Sequence, residues 1–153
     1  MNTANITLRA ARIQDKEMIT DFNTRMALET EEKALDRATL LKGVQALLED
    51  PLKGRYYLAE DGSGTPVGQL MVTYEWSDWR NENIWWIQSV FVTENMRGKG
   101  IYKALYAKVC EDALAAGTQT IRLYVERNNT VAQQVYEKLG MTETVYKLYE
   151  ISL

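Results

Sequence analysis

Residues 97–103, RGKGIYK, set two glycines and three cations where a helix begins. Both residue types weaken a helix start. Glycine costs roughly 1 kcal/mol against alanine in a helix interior, and cations suit the C-terminal end of the helix dipole. The pattern makes sense around an anion. The first turn of a helix has N–H groups without intrahelical partners, aimed along an axis whose N-terminal end carries about half a positive charge. Gly98 and Gly100 let a ligand reach the backbone, while Arg97, Lys99 and Lys103 add positive charge. With a polyphosphate in place the terms that repel one another become attractive. No Gly-Lys-Ser/Thr of a P-loop follows, and no G-x-G-x-x-G is present.

The rest of the composition narrows the chemistry by exclusion. Among 153 residues there is no histidine and one cysteine, Cys110. Ser-His-Asp and Cys-His catalysis, histidine-bound zinc and thiolate metal clusters are therefore excluded. No group of carboxylates has the spacing of a metal site, so no metal is expected. A net charge of −3 argues against a nucleic-acid partner, which calls for a basic face. No apolar run approaches the ~20 residues that span a bilayer, and "MNTANITLRA" lacks the layout of a secretory signal. The expected location is the cytoplasm, where a single unpaired cysteine is ordinary.

The elements that must position the 97–103 turn follow from periodicity. "ITLRAA" (6–11) reads as a first strand. Asp15 stands before a helix with Met18, Ile19, Phe22 and Met26 on one face. Asp36 stands before a second, with Leu40, Leu41, Val44, Leu47 and Leu48 at helical spacing and Pro51 beyond it. "RYYLAED" and "VGQLMVTYEW" read as a hairpin turned by "DGSGTP". After "SDWRNEN", the run "IWWIQSVFV" has the continuous apolar character of a central strand covered on both faces. A long helix follows to about Ala116. Its two stripes, Ile101-Leu105-Val109-Ala113 and Tyr102-Tyr106-Cys110-Leu114, predict burial around most of its girth. "TIRLYV" is a strand, and Asn128 or Asn129 starts a helix through Val131, Val135 and Leu139 to Gly140. "TVYKLYEISL" reads as a closing strand. The order β-α-α-β-β-β-α-β-α-β describes an α/β mixed sheet in one domain over 1–153.

"SVFVTENMRGKGIYKALY" resembles the acetyl-CoA-binding motif of the GCN5-related N-acetyltransferase (GNAT) superfamily, a central strand followed by Q/R-x-x-G-x-G/A. Arg97 and Gly100 match its first two fixed positions, and Tyr102 stands at the third. "NTVAQQVYEKLGM" resembles the family's N-x-x-A-x-x-x-Y-x-x-x-G-F, with Asn129, Ala132, Tyr136 and Gly140 in register and Met141 in place of phenylalanine. The element order also resembles the family fold over nearly the whole chain.

The resemblance implies an acetyl-CoA-dependent N-acetyltransferase acting on a primary amine of a small molecule. Backbone groups of Val90 and Val92 would face the pantetheine arm, and an N–H near Val92 would hold the oxyanion. Arg97, Gly98, Lys99, Gly100, Tyr102, Lys103 and Asn129 would belong to the cofactor site. Tyr136 would be the general acid near the sulfur, protonated at neutral pH with an ordinary pKa of ~10. Many relatives carry a glutamate on the central strand as base; Gln88 stands there, and an amide takes no proton. Glu75, Asp78 and Glu82 are possible substitutes, and the alternative is an amine bound already neutral. Tyr74, Trp76, Trp79, Trp85 and Trp86 gather near the expected acceptor entrance, though alternation keeps Trp85 and Trp86 from sharing a face. The acid run "ETEEKALD" (29–36) would attract a polyamine or aminoglycoside, or is simply a solvated loop. Two other readings stand beside the enzyme: a non-catalytic acyl-CoA-binding regulator, and a protein or peptide N-acetyltransferase. A homodimer is compatible with the fold, and no residue establishes one.

Overall fold

The computed structural model describes residues 5–153, so the first four residues of "MNTANITLRA" lie outside the described part. The described residues group into two compact units, one ending at Leu123 and the other Tyr124–Leu153. The larger unit holds β1 (Thr7–Ala10), α1 (Lys16–Glu31), α2 (Arg37–Glu49), β2 (Arg55–Glu60), β3 (Pro66–Ser77), β4 (Glu82–Val92), α3 (Ile101–Ala115) and β5 (Ile121–Leu123). The smaller holds α4 (Thr130–Lys138). The strands form one sheet in the order β1-β2-β3-β4-β5, antiparallel except for the β4–β5 pair. Five strands in a mixed sheet and four helices agree with the fold class read from the sequence.

The alternation of β2 explains why helices cover both faces of this sheet. Successive strand residues point to opposite sides. Tyr56 and Leu58 pack with Ile19, Val44 and Leu47 of α1 and α2. Tyr57 and Ala59 join Trp85, Ile87 and the α3 stripe Ile101, Leu105, Val109 and Ala113 on the other side. That stripe is fully buried, whereas Leu114 of the second stripe is 67% exposed and Tyr102, Tyr106 and Cys110 are half-buried. α3 therefore buries one face, not most of its girth as its composition suggests.

Local chemistry sets the helix starts. Asp36 caps α2 by accepting from Thr39 N at 2.9 Å, which satisfies one of the free N–H groups of the first turn. Asp15 does not cap α1. Its carboxylate instead accepts from Arg12 N and holds the Arg9 guanidinium through two bonds. That guanidinium keeps the Asp15 carboxyl below the usual carboxylate range. Arg9 also pairs with Glu60, so β1, β2 and the approach to α1 share one cation.

In the smaller unit, Asn129 caps α4 by accepting from Ala132 N at 3.1 Å, and Gly140 follows with a left-handed φ of 92°. The closing strand expected over "TVYKLYEISL" does not form. A strand needs a neighbouring ladder, and a single extended segment is not stable by itself. The only regular element within this unit is α4, which offers no ladder. Val145, Leu148, Tyr149 and Ile151 are all largely exposed.

Candidate active site

The site begins with a fault in the sheet. Gln69 pairs with Phe91 and Met71 with Gln88, so Leu70 alone faces both Ser89 and Val90. This is a β-bulge, with an extra residue on β4 that bends the strand locally. Ser89 takes a left-handed φ of 52°, uncommon outside glycine. A buried polar network underlies it. Gln69 Nε2 donates to Ser89 O at 3.1 Å and to Asn23 Oδ1 at 2.8 Å, and Asn23 Nδ2 donates to the Tyr56 hydroxyl at 3.1 Å. Gln69, Asn23 and Tyr56 are all buried. Burial raises the Tyr56 phenol above its ordinary pKa, so it remains neutral.

The parallel ladder to β5 runs only from Trp85↔Ile121 to Ile87↔Leu123. β4 continues to Val92, so its edge from 88 to 92 is left by β5. Val90 and Val92 turn side chains towards the main core. This stretch has no ladder partner in β5, although Ser89 O and Val92 O accept from Gln69 and Arg97; a strand edge without a ladder is of the kind that accepts an extended ligand.

The 97–103 turn lies next along the chain. Gly98 and Gly100 both have left-handed φ values, 74° and 80°. Gly100 is the N-cap of α3, and no side chain caps that terminus. A Cβ on Gly98 would meet nothing within 4 Å, so the approach to the backbone is open. One on Gly68 of β3 would lie 2.9 Å from Ile101 Cγ2; only glycine there lets the start of α3 settle on the sheet. The cations are arranged differently. Lys103 is exposed and Lys99 half-buried. Arg97 turns back, donating to Val92 O at 2.9 Å and pairing with Glu29 at 2.6 Å. Tyr102 packs beside Tyr106 against the main core.

Beside the bulge is a cavity of about 440 Å³ between α1, α2 and the sheet, with Ser89, Tyr56 and Asn23 in its wall. Most of the remaining wall is apolar, including Met26, Val44 and Met71. Gln88 is held away from proton chemistry in two senses: it is an amide, and its Nε2 donates to Thr73 Oγ1 at 2.6 Å.

The structure does not bring Glu75, Asp78 and Glu82 to this place. Glu75 pairs with Ile84, six residues before Val90, which is roughly 20 Å along a strand; it follows Thr73 of the cavity wall by two residues but is not itself in that wall. Its carboxylate accepts from Trp86 Nε1 and pairs with Arg122. Asp78 is exposed in the β3–β4 turn, farther still. Glu82 accepts from Gln119 N and Thr120 Oγ1, anchoring the start of β5. The aromatic residues expected at the acceptor entrance occupy the same remote end. Trp85 is core, Trp86 is half-buried, and Trp76 and Trp79 are exposed. Hairpin geometry is the reason: "SDWRNEN" turns the chain, so residues near it in sequence gather at the end opposite the bulge. The acid run 29–36 contributes only Leu35 to the cavity wall.

Tyr136 and Asn129 belong to the smaller unit. Burial raises the Tyr136 phenol above its ordinary value, and Asn129 acts there as the cap of α4. Sequence reasoning missed Ser89, Gln69, Asn23 and Tyr56. The available signal was Gln-Ser within an otherwise apolar strand, since polar residues in a doubly covered strand need buried partners. Among the described residues no group of His, Cys, Asp or Glu could hold a metal, and no helix is long and apolar enough to cross a membrane.

Three comparisons bear on this geometry. A family model described as acetyltransferase (GNAT) matches residues 16–141. A crystal structure described as a possible acetyltransferase from Clostridium difficile 630 is 43% identical, with a TM-score of 0.91 over 97% of this chain and 98% of that one. The thialysine N-epsilon-acetyltransferase of Bos taurus is 34% identical over 82 residues, 50% of this chain and 48% of the relative, so the match spans about half of that protein's length. A structure from Clostridium acetobutylicum described as an acetyltransferase with acetyl-CoA shares the fold at a TM-score of 0.81 and 16% identity, covering 95% of this chain and 96% of that one.

Proposed function

The chain belongs to the acetyltransferase (GNAT) family, and on that premise we propose that it transfers an acetyl group from acetyl-CoA to the primary amine of a small molecule. The observation that carries this reading is the adjacency of a strand edge without a ladder and a helix terminus without a side-chain cap. The 88–92 edge of β4 is left by β5, and a few residues later α3 begins at a glycine without a side-chain cap. An extended pantetheine arm suits the first, and a pyrophosphate suits the second.

Acetyl-CoA supplies an activated thioester carbonyl; the chain supplies the rest. Backbone groups of Val90 and Val92 align the arm, and an N–H in this stretch stabilises the oxyanion. Gly98 and Gly100 admit phosphate oxygens to the α3 terminus, with Lys99, Lys103 and Arg97 adding charge and Tyr102 flanking. Tyr136 is the general acid. Its raised pKa keeps the proton in place through neutral pH, available to the departing sulfur. Asn129 serves by starting the helix that carries Tyr136. We take 1–153 as one such domain, located in the cytoplasm, with no nucleic-acid or membrane partner. Glu75 and Asp78, the carboxylates considered as bases, are assigned only a charge-pair and a turn position.

Incubation with acetyl-CoA, a panel of amines and a thiol reporter tests the reading. The expected result is amine-dependent thiol release with formation of the N-acetyl product. A melting temperature raised by CoA with no thiol release from any amine would replace the enzyme by an acyl-CoA-binding regulator. Release only with peptides would point to a protein acceptor.

A further inference from the structure

Within that reading, the cavity beside the bulge holds the acceptor, and its chemistry restricts what the acceptor is. We infer that the protein acetylates small primary monoamines with an apolar body, bound as the free base, and discriminates against polyamines and other multiply charged amines.

The wall of this cavity contains no carboxylate. Its only side chains that titrate are Tyr56 and Lys53. Tyr56 is kept neutral by burial, and Lys53 has its ammonium 2.9 Å from Asp50. The other polar groups are amide or hydroxyl: Asn23 is tied to Gln69 and Tyr56, Thr73 accepts from Gln88, and Ser89 lies in the bulge. Several charged groups on the surrounding elements have partners outside this wall. Glu29 of α1 faces Arg97, Arg37 of α2 pairs with Glu17 and Asp21, and Glu75 of β3 pairs with Arg122.

An ammonium entering such a space gives up water and meets no counter-charge, which disfavours the charged form. An aliphatic amine with an ordinary pKa near ~10.4 is therefore bound as R–NH₂, the form that carries the nucleophilic lone pair. This removes the need for a base where Gln88 stands. The C–N bond forms as the lone pair attacks the thioester carbon. The C–S bond breaks with its electron pair leaving on sulfur, and the proton lost by nitrogen balances the one taken by the thiolate. A second ammonium on the acceptor has no partner in this wall. A volume of about 440 Å³ suits a short alkyl chain or one ring.

The test compares hexylamine with 1,6-diaminohexane, and phenethylamine with spermidine, at pH 7, 8 and 9 with saturating acetyl-CoA. The monoamines should exceed the polyamines in kcat/KM by at least about tenfold, given the penalty on an unpaired buried charge. For hexylamine, kcat/KM should climb through pH 9 and become level when expressed per free base. Met71→Glu, which adds a carboxylate to the wall, should narrow the gap by favouring diaminohexane. Equal or better use of the polyamines overturns the inference and leaves acetyl transfer standing. If CoA raises the melting temperature but neither monoamine is acetylated, the inference falls and the cofactor site survives. No CoA shift and no acetylation would remove the underlying reading and the inference with it.

Discussion

The two ends of β4 begin from similar material and finish differently. At the hairpin end, Trp85 and Trp86 stand opposite Tyr74 and Thr73, with Glu75, Asp78 and Trp76 close by. There Trp85, Trp86 and Ile87 are paired on both edges, with β3 on one side and β5 on the other. At the bulge end the side chains are less conspicuous: Gln88, Ser89, Val90 and Val92. There the ladder slips, β5 departs, and a buried amide network supports a left-handed serine. Aromatic and acidic density marks the hairpin turn, whereas a strand edge without a ladder beside a polar interior marks the proposed site.

The largest expected effect tests the bulge end through its proposed anion site. Gly100→Asp puts a side chain on a residue with φ of 80° and a negative charge at the α3 terminus. The left-handed conformation alone costs roughly 1–2 kcal/mol, so the protein should remain folded by circular dichroism. Its rise in melting temperature with CoA should vanish, because ligand stabilisation follows mass action on the folded state. Wild type should respond to CoA more than to pantetheine. Equal responses would place binding away from the helix terminus.

Next in size is the proposed acid. Tyr136→Phe retains the ring and loses the hydroxyl. General acid catalysis is worth 10²–10⁴-fold, and a thiolate leaves tolerably unaided, so a loss of about 10²-fold in kcat is expected with CoA affinity nearly unchanged. A variant with wild-type kcat would show that protonation of the sulfur is not Tyr136's role.

A third substitution addresses the bulge itself. Gln69→Leu removes the donor to both Asn23 Oδ1 and Ser89 O. Leaving a buried acceptor without its partner costs about 1–3 kcal/mol. Denaturant melts should show a loss of that order, and kcat/KM should fall about tenfold by the same energetic scale. Trp79→Ala, at the exposed tip of the other end, should change neither. If Gln69→Leu lowers stability without touching kcat/KM, the network supports the sheet but not the site.

These contrasts also show what could be read from residues alone. The first five strands, the helices and the caps at Asp36 and Asn129 follow from period and local hydrogen bonding, and the structure places them within a few residues of expectation. The 97–103 turn was legible because glycines and cations at a helix start are locally unfavourable. The bulge was not. Nothing in "IWWIQSVFV" says at which residue β4 slips against β3, since register depends on Gln69 and Asn23, from other elements. Asp15 failed as a cap for a related reason: Arg9, across a turn, competes for its carboxylate. The closing strand failed because alternation and β-branching identify a segment willing to pair, while pairing requires a neighbour.

The smallest expected effect is the sharpest check on the comparison, since it asks whether the conspicuous carboxylates matter at all. Glu75→Gln keeps the shape and the acceptor that Trp86 Nε1 uses, and it weakens the attraction to Arg122. That pair is half exposed, and exposed ion pairs contribute about 0–1 kcal/mol, so the melting temperature should barely move. Asp78→Asn alters only a turn residue exposed to solvent. The Glu75 carboxylate, two residues along β3 from Thr73 of the cavity wall, is engaged by Trp86 and Arg122, so neither change should shift kcat/KM more than twofold, at pH 7 or at pH 9. A dedicated carboxylate base would behave otherwise. It would give wild type a plateau in kcat/KM near neutrality, because the base is already ionised there, and its removal would replace the plateau with a steady climb. A plateau in wild type that disappears in Glu75→Gln or Asp78→Asn would move the chemistry to the hairpin end. A climb shared by wild type and both variants leaves the amine's own ionisation as the controlling step.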